Sequence, residues 1–192
     1  MPLTRIQSLG ITDGTIVNAD INASAAIAGT KLSGAGKVLQ VVSTTKTDTA
    51  TTSSSSYSDI SGLNLSITPS SASNKILIIA DISGASNSGL AGIGFRIKQT
   101  ISASDTFPYL GASAGSRTQA SFGAYVASDS SFQGKFSSSV LLSPNTTSAI
   151  TYTYQFRSQN ANAVYLNRSN SDADSSDQYR NASSITAIEI AG

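Results

Sequence analysis

From residue 36 to the last residue, apolar side chains recur at every second position or in short runs. An apolar spacing of about 3.6 residues is nowhere sustained over a helical length. The clearest case is Ala149 to Ser158 (AITYTYQFRS), where Ile150, Tyr152, Tyr154 and Phe156 share one face and Thr151, Thr153, Gln155 and Arg157 the other. Leu63, Leu65 and Ile67 alternate with Asn64 and Ser66, and Pro69, which has no N–H for a ladder, ends that strand. Lys75 to Ile82 (KILIIADI) reads as the strongest core strand, and Lys37 to Val42 as a buried one. Thr44 to Ser56 reads as an edge or solvent-facing strand, and Tyr57 to Ile60 leads into a turn at Ser61-Gly62. Further strands are expected at 93–99, 107–110, 121–127, 135–142, 163–167 and 184–190. About ten strands joined by short turns predict an all-β chain, an antiparallel β-sandwich, jelly roll or barrel. The stretches 83–90, 111–120 and 170–181 are the longest and most polar loops, where binding specificity sits on a β scaffold.

Composition agrees. Charged residues make up 12% of the chain, about half the usual share. Exposed helices need more Glu, Lys and Arg than that, whereas Ser and Thr cover a pleated surface well. Disorder requires low hydrophobicity with high net charge, and this chain is 39% apolar with net charge +1. The same neutrality argues against nucleic acid and anionic membranes as partners, since both demand a basic face. The longest fully apolar run, Ile76 to Ala80, is far too short for a membrane-spanning helix, and Met1 to Gly10 lacks the apolar core of a signal peptide. There is no cysteine, so a chain that stands outside a cell needs another stabiliser, and oligomerisation is the usual one.

The first 35 residues differ from the rest. Residues 1–10 form a short mixed segment that either docks onto a larger assembly or is disordered. Residues 11–35 space Ile11, Ile16, Val17, Ile21, Ile27 and Leu32 among small and polar residues. One copy buries too little apolar surface to fold alone; three copies around an axis bury those residues against each other. The expected organisation is an extended N-terminal stalk or anchor over 1–35, with a flexible linker as the alternative, followed by a β head over 36–192. The anchoring side chains are Leu3, Ile6, Leu9, Ile11, Ile16 and Ile21.

The chain has no His and no Cys, which removes the Ser-His-Asp triad, the thiol nucleophile and the His/Cys zinc site. Paired carboxylates are the remaining hydrolytic route. Glu189 is the sole Glu, and its setting in a final strand points to solvent, a subunit interface or a basic partner rather than to acid catalysis. Asp172, Asp174 and Asp177 form an oxygen-rich loop that is either a weak calcium candidate or a solvated acidic loop; it lacks the central Gly and terminal Glu of an EF-hand. Tyr109, Tyr125 and Tyr179 lie in or beside loops, where aromatic faces can stack on sugars, and with Arg117 they are the candidate receptor contacts. No cofactor is implied.

Three stretches carry a family resemblance. GKVLQVVSTTKTDTATTSSSSYSDISGLNLSITPSSASNKILIIADIS (36–83), LLSPNTTSAITYTYQFRSQNANAVYLNR (141–168) and the closing SSITAIEIAG (183–192) are similar to a module of phage fibre and virion structural proteins. GTIVNADINASAAIAGTKL (14–32) resembles the linker that precedes such modules in cyanophage and other marine-phage proteins. The resemblance implies a homotrimeric virion protein with a C-terminal head like the C1q and tumour-necrosis-factor jelly rolls, exposed on the particle surface. It also implies other virion proteins (tail, baseplate or major capsid protein) and a host surface glycan or protein as partners. The chain lacks the long adapter or repetitive shaft of many phage fibres, which leaves a short tail fibre and a capsid decoration or head fibre both open.

Overall fold

A computed structural model of the chain describes residues 37–87, 92–125 and 131–192. The expected anchor residues Leu3, Ile6, Leu9, Ile11, Ile16 and Ile21, and the stalk they belong to, lie outside the described residues.

Among the described residues there are eleven strands: β1 (Val38–Lys46), β2 (Ala50–Thr52), β3 (Ser58–Ile67), β4 (Lys75–Ser86), β5 (Gly92–Ile101), β6 (Ser104–Thr106), β7 (Phe122–Tyr125), β8 (Gly134–Leu142), β9 (Ile150–Ser158), β10 (Val164–Leu166) and β11 (Ser183–Ile190). Among the described residues there is no helix. The strands form two sheets in which every named pairing is antiparallel. In the first, β4 is central. β8 pairs along one of its edges, while β11 and β10 lie end to end along the other and carry β1 and β2 outside them. In the second, the order is β3-β9-β5, and the outer edge of β5 is shared by β7 at one end and β6 at the other.

Period-two alternation places the core between the sheets. Ile76, Ile78 and Ile82 of β4 and Ile185 of β11 meet Leu63, Leu65, Phe95, Ile97, Tyr152 and Tyr154 from the other sheet, all within a few per cent of complete burial. The Tyr152/Tyr154/Phe156 row thus faces inward, as the alternation of β9 predicts. Its phenols need partners there. Tyr152 donates to Gln99 Oε1 at 3.0 Å, and the Tyr154 hydroxyl lies 3.0 Å from Ser138 Oγ. Burial raises both phenols, that of Tyr154 to about 12. At one end of the core Phe95, Phe122 and Phe136 stack, with Phe95 5.2 Å from each of the other two.

Four expectations need correction. Lys37 to Val42 is not a buried strand: β1 is an edge strand whose Val38 and Val41 face outward. Ser61-Gly62 is not a strand boundary but a bulge within β3, where the register to β9 shifts and Gly62 takes φ +77°; glycine alone enters that region freely. The stretch 107–110 is not a strand, because the short β6 hairpin just before it completes the pairing with β5. The polar segment after Ile82 continues β4 as far as Ser86, because β10 pairs there and supplies the ladder.

Candidate functional site

Tertiary structure makes three surface features: an apolar face on the first sheet, a looped-out acidic excursion, and an open groove on the second sheet.

The apolar face follows from register. On the outward side of the first sheet Val41 lies opposite Ile188, Ile188 opposite Leu77, and Leu77 opposite Leu141, one unbroken row across β1, β11, β4 and β8. Val38 and Ile190 pair on one side of this row, and Ile79 lies on the other. No charge interrupts the row; its ends are exposed, Val41 at 57% and Leu141 at 50%, and Ile188 and Leu77 between them are half-buried. Large contiguous apolar patches are enriched at interaction sites, which makes this face a candidate.

The acidic excursion arises because β10 and β11 are two halves of one line along β4. Between them residues 167–182 leave the sheet. Asn167 holds the exit. It is fully buried at φ +59°, donates from Nδ2 to the carbonyls of Lys46 and Asp48 at 2.9 Å each, and accepts from Ser183 Oγ at 2.6 Å. In the loop, the Asp172 carboxylate meets Arg180 at 2.8 Å and Arg168 at 3.4 Å. Asp177 accepts from Ser175 and Ser131, which hold its carboxyl below the usual range. Among the described residues no three carboxylates converge as a metal site. Two guanidiniums already neutralise Asp172, the charge a cation would need. Tyr179 is exposed and, with Asp172, Asp174 and Arg180, borders a shallow hollow of about 250 Å³.

The groove is larger, about 650 Å³, and three glycines lie at its base. On the outward face of the second sheet, Gly94 of β5 pairs with Gly123 of β7 on one side and Arg157 of β9 on the other, and Gly92 pairs with Tyr125. The missing side chains matter. A Cβ at Gly94 would come within 3.1 Å of Tyr57 Oη and 3.3 Å of Arg157 Cγ; one at Gly123 would come within 2.6 Å of the Ile93 carbonyl. Residues 116–120 form one wall. That loop is closed at its base by Gly111 N to Ala120 O at 3.0 Å and Gln119 Nε2 to Gly111 O at 2.7 Å, and Tyr57 Oη donates to Gln119 O at 3.0 Å. Arg157 is held by Nε to Ser55 O at 2.7 Å. Beneath Tyr57, the Arg96 guanidinium lies between the rings of Tyr57 (4.2 Å) and Phe107 (3.7 Å). Burial raises the Tyr57 phenol, and the neighbouring Arg157 and Arg96 oppose that rise.

Of the four candidate receptor residues, two converge and two do not. Arg117 lines the groove. Tyr109 is half-buried against the core, its carbonyl accepting from Ser121 Oγ, and Tyr179 belongs to the separate acidic excursion. Tyr125 does reach the groove, at 59% exposure. Tyr57, Arg157 and the glycine floor escape sequence reasoning; the available signal is Gly92 and Gly94 inside a strand pattern, since strand glycines mark close approach.

Glu189 also departs from expectation. It neither faces solvent nor pairs with a base: only 1% exposed, it points inward at the end of the sandwich. Its carboxylate accepts from Gln40 Nε2 (2.5 Å), Ser70 N (2.7 Å), Ser70 Oγ (2.8 Å) and Asn74 Nδ2 (2.5 Å). Burial opposes its ionisation, but the bonds from Asn74, Gln40 and Ser70 outweigh it and hold the carboxyl below its ordinary range. No protein-family model matches the chain, and no curated protein matches it.

Proposed function

We propose that the chain is a non-enzymatic structural protein of a bacteriophage particle. In this reading it is a homotrimeric short fibre that attaches through residues 1–35 and presents its β head on the virion surface for host adhesion. The single observation that carries the reading is the uncharged outward row Val41–Ile188–Leu77–Leu141, surface a lone subunit leaves in water at a cost and identical copies remove by association. The resemblance to phage fibre modules supplies the number three and the particle.

The same reading takes the sandwich as a jelly roll. Its support is the strand order, β1-β11-β4-β8 within the six-stranded sheet against β3-β9-β5-β7 within the five-stranded one, with the chain crossing repeatedly between the two.

The test is solution mass by light scattering or native mass spectrometry. The expected result is three times the 19.6 kDa chain mass, and a single-subunit mass overturns the trimer. Copy number per particle then separates the fibre from a capsid decoration that stabilises the shell: few copies for a fibre, many tens to hundreds for a decoration.

A further inference from the structure

We propose that the groove on the second sheet binds an acidic saccharide, a sugar bearing carboxylate or sulfate. This deepens the adhesion reading by naming the ligand class and the residues that take it.

The argument begins with charge. Among the described residues Arg117 and Arg157 both line the groove, no carboxylate does, and neither guanidinium has a carboxylate within ion-pair distance. This contrasts with Lys98 of the same sheet and with the two arginines of the acidic excursion, while Arg96 is taken up between two aromatic rings. Lys98 is paired with Asp59 at 2.7 Å, and Arg168 and Arg180 with Asp172. In a nearly neutral protein, two cations held beside a carboxylate-free hollow set up a local field for an anion. A guanidinium presents paired donors that fit a carboxylate or sulfate.

Shape and chemistry then favour a sugar ring. The glycines at 92 and 94 let the side chains of Gln159, Tyr57 and Arg157 lie close against the sheet, so the base of the groove offers an amide, a phenol and a guanidinium to a sugar's hydroxyls and acidic group. Tyr125 at the rim offers an exposed aromatic face, the usual seat for the apolar side of a pyranose. Gln159 lines the groove and brings an amide within reach of ring hydroxyls. The site is also built in advance. The loop wall is fastened at Gly111 and Ala120 and to Tyr57, so little ordering entropy is lost on binding. Each head binds weakly by itself, and several copies on one particle multiply the effect.

The experiment is titration of the purified full chain with three oligosaccharides of equal length: an oligogalacturonate, a sulfated galactan fragment and a neutral malto-oligosaccharide. Binding is read by calorimetry and by protein-observed NMR. At least one acidic probe binds, with affinity falling as salt rises, and the neutral probe binds at least tenfold more weakly. Arg117→Ala weakens acidic binding at least tenfold, and Tyr125→Ala at least fivefold. Both side chains are exposed, so folding is unaffected, while Lys75→Ala on the opposite sheet leaves binding unchanged. The carboxylate and sulfate arms tell the two anion sources apart. Failure of both acidic probes, equal affinity for the neutral one, or wild-type affinity in both groove variants overturns the inference. Such a failure with a trimeric mass intact refutes the groove alone; a single-subunit mass with acidic binding intact refutes the trimer alone.

Discussion

Replacing Glu189 tests whether a buried carboxylate without any basic partner can fasten one end of the sandwich. Its four hydrogen bonds join β11 to β1 through Gln40 and to the turn between β3 and β4 through Ser70 and Asn74. Bonds to a charged acceptor contribute about 1.5–3 kcal/mol each, and a donor left buried without a partner costs about 1–3 kcal/mol. The contributions are not additive, because Ser70 is exposed at the turn and recovers some water, whereas Asn74 is buried. Glu189→Ala is therefore expected to cost about 4 kcal/mol, the range seen when one member of a buried charged cluster is removed. At about 2–4 °C per kcal/mol for a chain of this size, its melting temperature falls by about 8–16 °C.

Glu189→Gln is the more discriminating variant. Its amide oxygen can keep the three donors now on Oε1, but its NH2 then faces Gln40 Nε2, donor against donor. Gln40 cannot turn over without giving up its bond to Thr68 O at 2.7 Å. The expected cost is about 2 kcal/mol, roughly half that of the alanine variant. The pH dependence has a definite sign. The folded-state pKa lies below the ordinary value of 4.5, so the unfolded chain takes up the proton first. The carboxylate's contribution is complete above the unfolded pKa and is lost as pH falls through the folded one. The gap between wild type and Glu189→Gln should narrow from about pH 5 downward. Thermal melts at fixed protein concentration, from neutral to acid, measure both. A melting point for Glu189→Ala within about 1 °C of wild type, or a wild-type-to-Gln gap that does not change with pH, refutes the reasoning.

Three further outcomes are expected. Val41→Lys with Leu141→Lys places two charges in the exposed apolar row and should shift the assembled protein to single subunits, read by light scattering, with the β circular-dichroism signal retained. Ile78→Asp puts an unpaired charge into the central strand at a fully buried position and costs several kcal/mol; a wild-type melt would show that β4 is not the core. Asn167→Ala should lose about 3 kcal/mol in urea denaturation, from orphaned carbonyls and a left-handed backbone forced onto alanine. Asn167→Gly, free of the second penalty, should be more stable than Asn167→Ala by about 1 kcal/mol.

The two groups tested most directly here, Glu189 and the outward row, were read differently from sequence. Flanked by Ile188 and Ile190 in the final strand, Glu189 reads as facing solvent or a subunit interface, or as paired with a base. The pairing Gln40↔Glu189 turns it inward, to the end of the sandwich where polar groups from the turn reach it. The isoleucines around it point outward and join Val41, Leu77 and Leu141. A run such as KILIIADI is apolar at successive positions, so alternation cannot say which half faces the core until neighbouring strands are in register.

What the chain's own order of residues determined was local. Alternation in 150–156 and 63–67 put Tyr152, Tyr154, Phe156, Leu63, Leu65 and Ile67 on one face, and proline and glycine marked turns, because side chains alternate across a strand whatever it pairs with. Only the tertiary structure decided that Gly94, Gly123, Tyr57, Arg117, Tyr125 and Arg157 share one groove while Tyr109 and Tyr179 do not. Those residues are separated by up to a hundred positions. They meet through cross-strand register and one pinned loop, pairings set by how two whole sheets fit together rather than by any segment's own preference.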